Sequence, residues 1–341
     1  MAKTVPVDQA VGMILPHDVT EIRQGEFKGR AFKKGHIIRP EDVEHLRRLG
    51  KEHIYVLELT AEDIHENEAA LAMAAAIAGP GVTWPTDVVE GKVNLHAART
   101  GLFQVNVEAL HAFNRLGEVM CATLHTGTVV AQGDLVAGTR LIPLMSRRRV
   151  VEEAVEIAKA AGGVLSVLPL RAAKAGLVIT GNEVFHGRIK DAFEPVLRRK
   201  LAAIGSEVVA VRFAPDDVEL IATAIRDCLA QGADLIVTSG GMSVDPDDVT
   251  RLGIARAGAT NIVYGTPVLP GAMFLSATIG QVPVLGLPAC GMFHKITVFD
   301  LILPRILAGQ EIDRETIAAM GHGGLCRNCP QCHYPICPFG K

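Results

Sequence analysis

The stretch Ala233-Asp234-Leu235-Ile236-Val237-Thr238-Ser239-Gly240-Gly241-Met242-Ser243-Val244-Asp245-Pro246-Asp247-Asp248-Val249-Thr250 decides the fold. Its opening apolar run reads as a buried strand, and a pair of glycines follows at that strand's carboxyl end. Ligands of open α/β sheets collect at this edge. Gly240 and Gly241 remove the Cβ barrier to positive φ and let a ligand approach the backbone. The Ser243 hydroxyl and the neighbouring N–H groups can donate to phosphate oxygens. Asp245, Asp247 and Asp248 then put carboxylates beside an anion-binding turn. A carboxylate next to a phosphate is repulsive unless a cation bridges them, so the pairing points to a phosphorylated ligand held with Mg2+.

Outward from this stretch the pattern is an α/β alternation. Strands are expected over 176–180, 207–213, 235–238 and 282–287, with helices over 191–204 and 216–231 between them. The first helix tolerates Pro195 only in its first turn; the second has an acidic start and Gly232 as its stop. Strands separated by helices of this length require crossover connections, hence a mainly parallel sheet with helices on both faces, a three-layer arrangement. Smaller modules precede it. Residues 1–60 read as an α+β module with a strand over 33–38, a helix over 40–49 opened by Pro40 and closed by Gly50, and a strand over 54–57. Residues 61–171 read as a mixed, β-rich middle domain. It begins with an Ala-rich helix over 61–78, has a β-rich piece over 117–144, and closes with a helix over 150–161, a strand over 164–168 and a linker over 171–175. The α/β domain then spans 172–311, and 312–341 form a cysteine-rich tail.

At 341 residues the chain is long for one core, and two or more domains are expected. Apolar residues are 49% and charged residues 21%, an ordinary globular balance that excludes wholesale disorder. A net charge of −3 and short basic clusters at Arg147-Arg148-Arg149 and Arg198-Arg199-Lys200 argue against a nucleic-acid partner. The longest membrane candidate, 69–79, has about half the length of a spanning helix. Met1-Ala2-Lys3-Thr4-Val5-Pro6 leads into mixed polar sequence with no apolar leader core, so a cytoplasmic protein is expected.

A second loop shares the logic of the first. Strand 176–180 runs into Thr180-Gly181-Asn182-Glu183-Val184-Phe185-His186-Gly187-Arg188-Ile189-Lys190-Asp191, which opens at the same sheet edge. The two loops are expected to wall one pocket, with Glu183 facing Asp245 and Asp248; Asp191 is either part of that wall or a helix cap.

Thr-Gly-Asn-Glu at 180–183, Thr-Ser-Gly-Gly-x-Ser at 238–243 with Asp248 and Thr250 behind it, and Leu287-Pro288 in a later loop together resemble the molybdopterin-binding domain. That domain is shared by molybdopterin adenylyltransferases and molybdopterin molybdenumtransferases. The resemblance covers about 172–311, and chain length favours the molybdenumtransferase branch. It implies molybdopterin, plain or adenylylated, as ligand and molybdate as co-substrate, with adenylate released as molybdenum is inserted. By resemblance, Gly240, Gly241 and Ser243 hold phosphate, Asp248 binds Mg2+ or positions the phosphoanhydride, and Glu183 contacts the pterin or the metal centre. Gly181, Asn182, Asp245, Thr250 and Pro288 complete the ligand site. A homo-oligomer is expected, with a molybdoenzyme acceptor as a further partner. The family has glycine where this chain has Asp245, and Asp tolerates positive φ, so the turn can survive. The family's Leu-Pro-Gly-Asn-Pro loop is replaced by Leu287-Pro288-Ala289-Cys290-Gly291-Met292. Cys290 is either a soft ligand near the dithiolene or a small core residue. A non-catalytic carrier or sensor of the cofactor, or a domain of the same fold with another nucleotide, is the alternative.

Four of the seven cysteines lie in Cys326-x2-Cys329-x2-Cys332-x4-Cys337-Pro338. Close spacing lets Cys326, Cys329, Cys332 and Cys337 converge on a metal, either a [4Fe-4S] cluster or Zn2+. This tail lies outside the resemblance.

Overall fold

A computed structural model describes residues 3–23, 26–56 and 60–341, arranged as two compact units. The first comprises residues up to 99 with 104–124 and 131–167; the second comprises 100–103, 125–130 and 168–341. The segments expected as separate modules, 1–60 and 61–171, thus fall largely in one unit, and the tail folds within the other.

In the first unit, Lys3–Pro6 pairs antiparallel with His53–Val56, and Val19–Arg23 forms a hairpin with Phe27–Phe32. With helix Asp42–Arg48 they enclose Val7, Leu15, Ile38, Leu46 and Ile54. The strand expected over 33–38 lies earlier, because Lys33–His36 is a turn: His36 N–H donates to Lys33 O at 3.0 Å and Gly35 has φ +86°. The expected strand over 54–57 is found as His53–Val56, and Leu57 lies outside the described residues. Four antiparallel strands in the order Val82–Thr83, Lys92–Ala97, Leu135–Leu141, Val119–Thr123 make the second sheet. Helices Glu66–Ile77 and Arg148–Ala160 accompany it. The Ala-rich helix starts at Glu66 instead of 61, since Asp63–His65 pairs with Met145–Arg147 and the His65 side chain then caps the helix by accepting from Asn67 N–H.

The second unit is built on one six-stranded sheet. In chain order its elements are β1 (Lys174–Thr180), α1 (Asn182–Phe185), α2 (Phe193–Ala202), β2 (Glu207–Ala214), α3 (Val218–Ala230), β3 (Leu235–Ser239), α4 (Thr250–Arg256), β4 (Thr260–Tyr264), β5 (Leu275–Ile279), β6 (Val282–Leu287), α5 (Val298–Leu307) and α6 (Arg314–Ala319). The sheet order is β2-β1-β3-β6-β5-β4. The first four strands are mutually parallel; β5 is antiparallel to both β6 and β4. The sequence pattern finds the four parallel strands and misses the β4–β5 pair, which adds an antiparallel edge to a parallel sheet.

Alternation along the central strands divides the core into two layers. Leu177, Ile179, Leu235, Val237 and Leu285 pack with Phe193, Leu197 and Leu201 of α2 and the buried side of α5. Val178, Ile236 and Val284 point the other way, against Ile221, Ile225 and Cys228 of α3 and Ile254 of α4. Buried on both faces, these strands read as continuous apolar runs, as parallel strands do. The expected linker at 171–175 is anchored instead: Arg171 N–H donates to Leu307 O, its guanidinium pairs with Asp234 at 2.7 Å, and β1 begins at Lys174. Among the described residues no helix is long and apolar enough to cross a membrane.

Candidate functional site

Because β2, β1, β3 and β6 are parallel, their carboxyl ends share one edge, and four loops leave from it. The chain passes from β1 to β2 on one side and then to β3 on the other, so the sheet order switches direction between β1 and β3, where crevices form in open α/β sheets. Thr180 ends β1 and Ser239 ends β3. They are clasped together: Thr180 Oγ1 donates to Ser239 O at 2.9 Å and lies 2.8 Å from Thr250 Oγ1. All three residues are buried.

The clasp explains the two glycines. Gly240 has φ +89°, and a Cβ there would run into the Thr180 carbonyl oxygen, with Thr180 Oγ1 at 2.9 Å. Gly241 has φ +56°, and its Cβ would meet the Thr250 hydroxyl. Both positions exclude a side chain twice over, by conformation and by space. Gly240 N–H is directed to Leu287 O at 3.4 Å, and Thr250 N–H donates to Gly241 O at 3.2 Å. The loop beyond is a turn in which Asp248 N–H donates to Asp245 O at 3.0 Å and Asp248 Oδ2 accepts from Asp245 N–H at 3.3 Å. Among the described non-glycine residues only Glu90, Asn261 and Asn328 have positive φ, so Asp245 sits in the turn without the left-handed conformation that its alignment with glycine suggests. Ser239 Oγ is buried and, among the described residues, has no hydrogen-bond partner.

On the β1 side, Gly181 has φ +133° and Asn182 begins the short α1. Asn182 N–H donates to Asp216 Oδ2 at 2.9 Å, and Asp216 N–H returns a bond to Asn182 Oδ1 at 3.3 Å. Burial holds the Asp216 carboxyl above the usual carboxylate range; the Asn182 N–H opposes this, and the negative charges of Glu183, Asp248 and Asp247 push it further up. Glu183, Asp216, Asp247 and Asp248 therefore share one field. Sequence reasoning missed Asp216, treating it as the acidic start of α3. The signal was the doublet Asp216-Asp217, since a helix has one N-cap: Asp217 takes it, accepting from Leu220 N–H at 2.9 Å, and Asp216 is left for Asn182. Asp191 is a cap, accepting from Phe193 and Glu194 N–H, both at 2.9 Å.

Of the remaining expected residues, Ser243, Pro288, Cys290 and Cys326 line a separate cavity of about 560 Å3, with Gly271 and His294 also in its walls. Asn182, Glu183 and Asp248 are not among its lining residues. Burial raises the Cys290 thiol, which keeps it protonated and works against a thiolate ligand there. Among the described residues no three His, Cys, Asp or Glu side chains stand close enough to share a metal ion, so neither the carboxylates nor the tail cysteines form a ready-made protein cage. The carboxylate set suits a hard cation completed by ligand phosphates, which is how Mg2+ is commonly bound.

Residues 176–308 match the family described as "Probable molybdopterin binding domain", and residues 4–58 match a domain of unknown function. A CinA-like protein of Thermosipho melanesiensis is 35% identical over 91 residues, 27% of this chain and 22% of that protein. One of Mycobacterium avium is 38% identical over 96 residues, again 22% of its length. The chain thus spans under a quarter of the curated relatives it matches. Among solved structures, the molybdopterin biosynthesis enzyme MoaB of Thermus thermophilus covers 40% of this chain and 98% of its own, with 22% identity and TM-score 0.34. The molybdopterin biosynthesis MoeA protein of Pyrococcus horikosii covers 72% of this chain and 79% of its own, with 17% identity and TM-score 0.34. The residues matched to that description, 176–308, include the switch-point loops that carry the glycine turn and the acidic cluster.

Proposed function

We propose that this chain binds molybdopterin at the β1–β3 crevice and acts in molybdenum cofactor assembly, inserting molybdate into adenylylated molybdopterin with release of adenylate. The observation that carries the reading is the Gly240-Gly241 turn, held open by Thr180 and Thr250 at the switch point beside the Asp216 field. A turn of this kind accepts an anionic oxygen close to the backbone, and the orphaned Ser239 hydroxyl lies at its base. Gly241 and Ser243 supply donors to phosphate, Asn182 is oriented by Asp216, and Glu183 and Asp248 act on the same Asp216 carboxyl by charge. Mg2+, when bound with the ligand, would be held by Asp248 together with phosphate oxygens and would neutralise charge at the anhydride. The protein's own part is to orient the diphosphate and to keep carboxylates at the side where the cation is shared.

The experiment is product analysis. Adenylylated molybdopterin, molybdate and Mg2+ supplied to the full chain yield adenylate, and Asp248→Ala abolishes the release while the circular dichroism stays unchanged. Unchanged turnover in that variant sinks the role of Asp248. The altered Leu287–Met292 loop and the CinA-like relatives favour a second reading, a carrier or a domain for another nucleotide. A carrier retains extractable pterin in stoichiometric amount and releases no adenylate.

A further inference from the structure

Cys326, Cys329, Cys332 and Cys337 all line one cavity of about 450 Å3 in the second unit. The segment that bears them is fastened to the domain. Leu269 N–H donates to Gly324 O and Cys326 N–H to Leu269 O, both at 2.8 Å, and Gly340 N–H returns to Gly323 O at 3.0 Å. Phe339 is 3% exposed within the α2–α5 core, and Cys326, Tyr334 and Cys337 pack against the same cluster. Gly323 has φ +83°, and a Cβ there would strike the Lys341 backbone, so the loop is closed at its neck. The four cysteines therefore line one space within a built fold.

The spread of the four cysteines discriminates between occupants. Four cysteine sulfurs on one tetrahedral zinc lie about 3.8 Å from one another, given a Zn–S bond of about 2.3 Å, and leave no cavity between them. Among the described residues no three metal-binding side chains stand close enough to share one ion, whereas all four cysteines line a common void. A cubane cluster keeps its ligating sulfurs farther apart and fills the gap with its own iron and sulfide. The charge of the wall is also suitable: Lys295 and Arg327 line it, and no Asp or Glu does. We propose that these four cysteines hold a [4Fe-4S] cluster. Two ferrous and two ferric ions with four sulfides form the core, and each thiol gives up its proton as its sulfur takes one iron. Two net negative charges remain on the ligated cluster, which the cationic wall offsets. Cys326 and His294 also line the 560 Å3 cavity with Ser243 and Pro288, so the cluster stands directly behind that wall.

The test uses the metal-free full chain under anaerobic conditions, offered ferrous and ferric iron with sulfide, zinc alone, or all together, then desalted. Four iron and four sulfide per chain are expected, also in competition with zinc. Cys329→Ser, at an exposed position, loses most of both with unchanged circular dichroism, whereas Cys290→Ala keeps them. Alkylation of the unmutated chain supplies a readout free of folding effects: the loaded chain shields all four tail thiols and the metal-free chain does not. One zinc per chain without sulfide, no retained metal, full loading of Cys329→Ser, or equal alkylation in both states overturns the cluster. Iron and sulfide are read without any pterin, so this proposal fails or holds apart from the function proposed above.

Discussion

Replacing Gly240 by alanine separates the two reasons for a glycine at the crevice. Gly240 and Gly232 have nearly the same positive φ, +89° and +84°, but a Cβ at Gly232 meets nothing within 4 Å while one at Gly240 runs into the Thr180 carbonyl. Gly232→Ala therefore carries only the left-handed penalty, about 1–2 kcal/mol. Gly240→Ala carries that penalty and the cost of pushing β1 and β3 apart where Thr180 joins Ser239, about 1–3 kcal/mol more by the scale of overpacked cores. The entropy that alanine removes from the unfolded chain is common to both and cancels in the comparison. At about 2–4 °C per kcal/mol for a unit of this size, Gly240→Ala melts at least a few degrees below Gly232→Ala. Thermal denaturation of both full-length variants, followed by circular dichroism, measures the gap. Equal melting temperatures would show that the strand ends have room to spare, and the argument that the turn is held open by backbone contact would be wrong.

Thr250→Val removes the hydroxyl 2.8 Å from Thr180 Oγ1 and lowers stability by about 1 kcal/mol in chemical denaturation, whereas Thr250→Ser retains most of it; equal losses would refute the clasp. Asp216→Asn keeps an acceptor for Asn182 N–H and removes the charge repelled by Glu183, Asp248 and Asp247. A carboxyl held high contributes stability below its unfolded pKa of 3.8 and loses it as pH rises through its folded value, so the variant is the more stable near neutrality and the gain closes towards acid. A constant difference across pH would exclude the shared field. His65 runs the other way: burial, foremost, holds it below 6.5, with Nε2–H donating to Pro16 O at 2.8 Å and Nδ1 accepting from Asn67 N–H at 3.1 Å. Its stabilisation is present above pH 6.5 and lost as pH falls through the lowered value, so His65→Asn, which keeps the helix cap, flattens the acid slope of the melting temperature; an unchanged slope counts against it.

What the sequence discloses is what one strand or one loop can encode. The parallel strands are legible because each is apolar on both faces, and the Gly240-Gly241 turn is legible because two glycines at a strand end have few structural uses. The β4–β5 pair escapes because Asn261 and a register shift between Thr260 and Val263 break its alternation, and its outer strand is only partly buried. In the first unit, the hairpin Val19–Arg23 with Phe27–Phe32 buries only Val19 and Phe32 and mixes polar with apolar residues, and its signal passes to the more apolar His36-Ile37-Ile38. Asp216 is hidden for a different reason. Its role depends on β2 lying next to β1, a neighbourhood fixed by sheet order and not by spacing along the chain.

The division of the expected residues between two places bears on how the crevice can work. Asn182, Glu183, Asp216 and Asp248 belong to the β1–β3 side, linked by hydrogen bonds and by charge. Ser243 and Pro288 face the tail across the 560 Å3 cavity with Cys290 and Cys326. The Gly240–Thr250 loop runs between the two, since it carries both Ser243 and Asp248 and is fastened at its ends to Thr180 and Leu287. A ligand long enough to reach from the acidic cluster to the cavity must cross this loop close to its backbone. An extended phosphorylated molecule with a charged end and a flat, less polar end has that shape, whereas inorganic phosphate or a free divalent cation would engage one side only. Binding of the whole ligand should therefore respond to changes at Asp216 and at Pro288, while a fragment that carries only the phosphate should respond to the first and ignore the second.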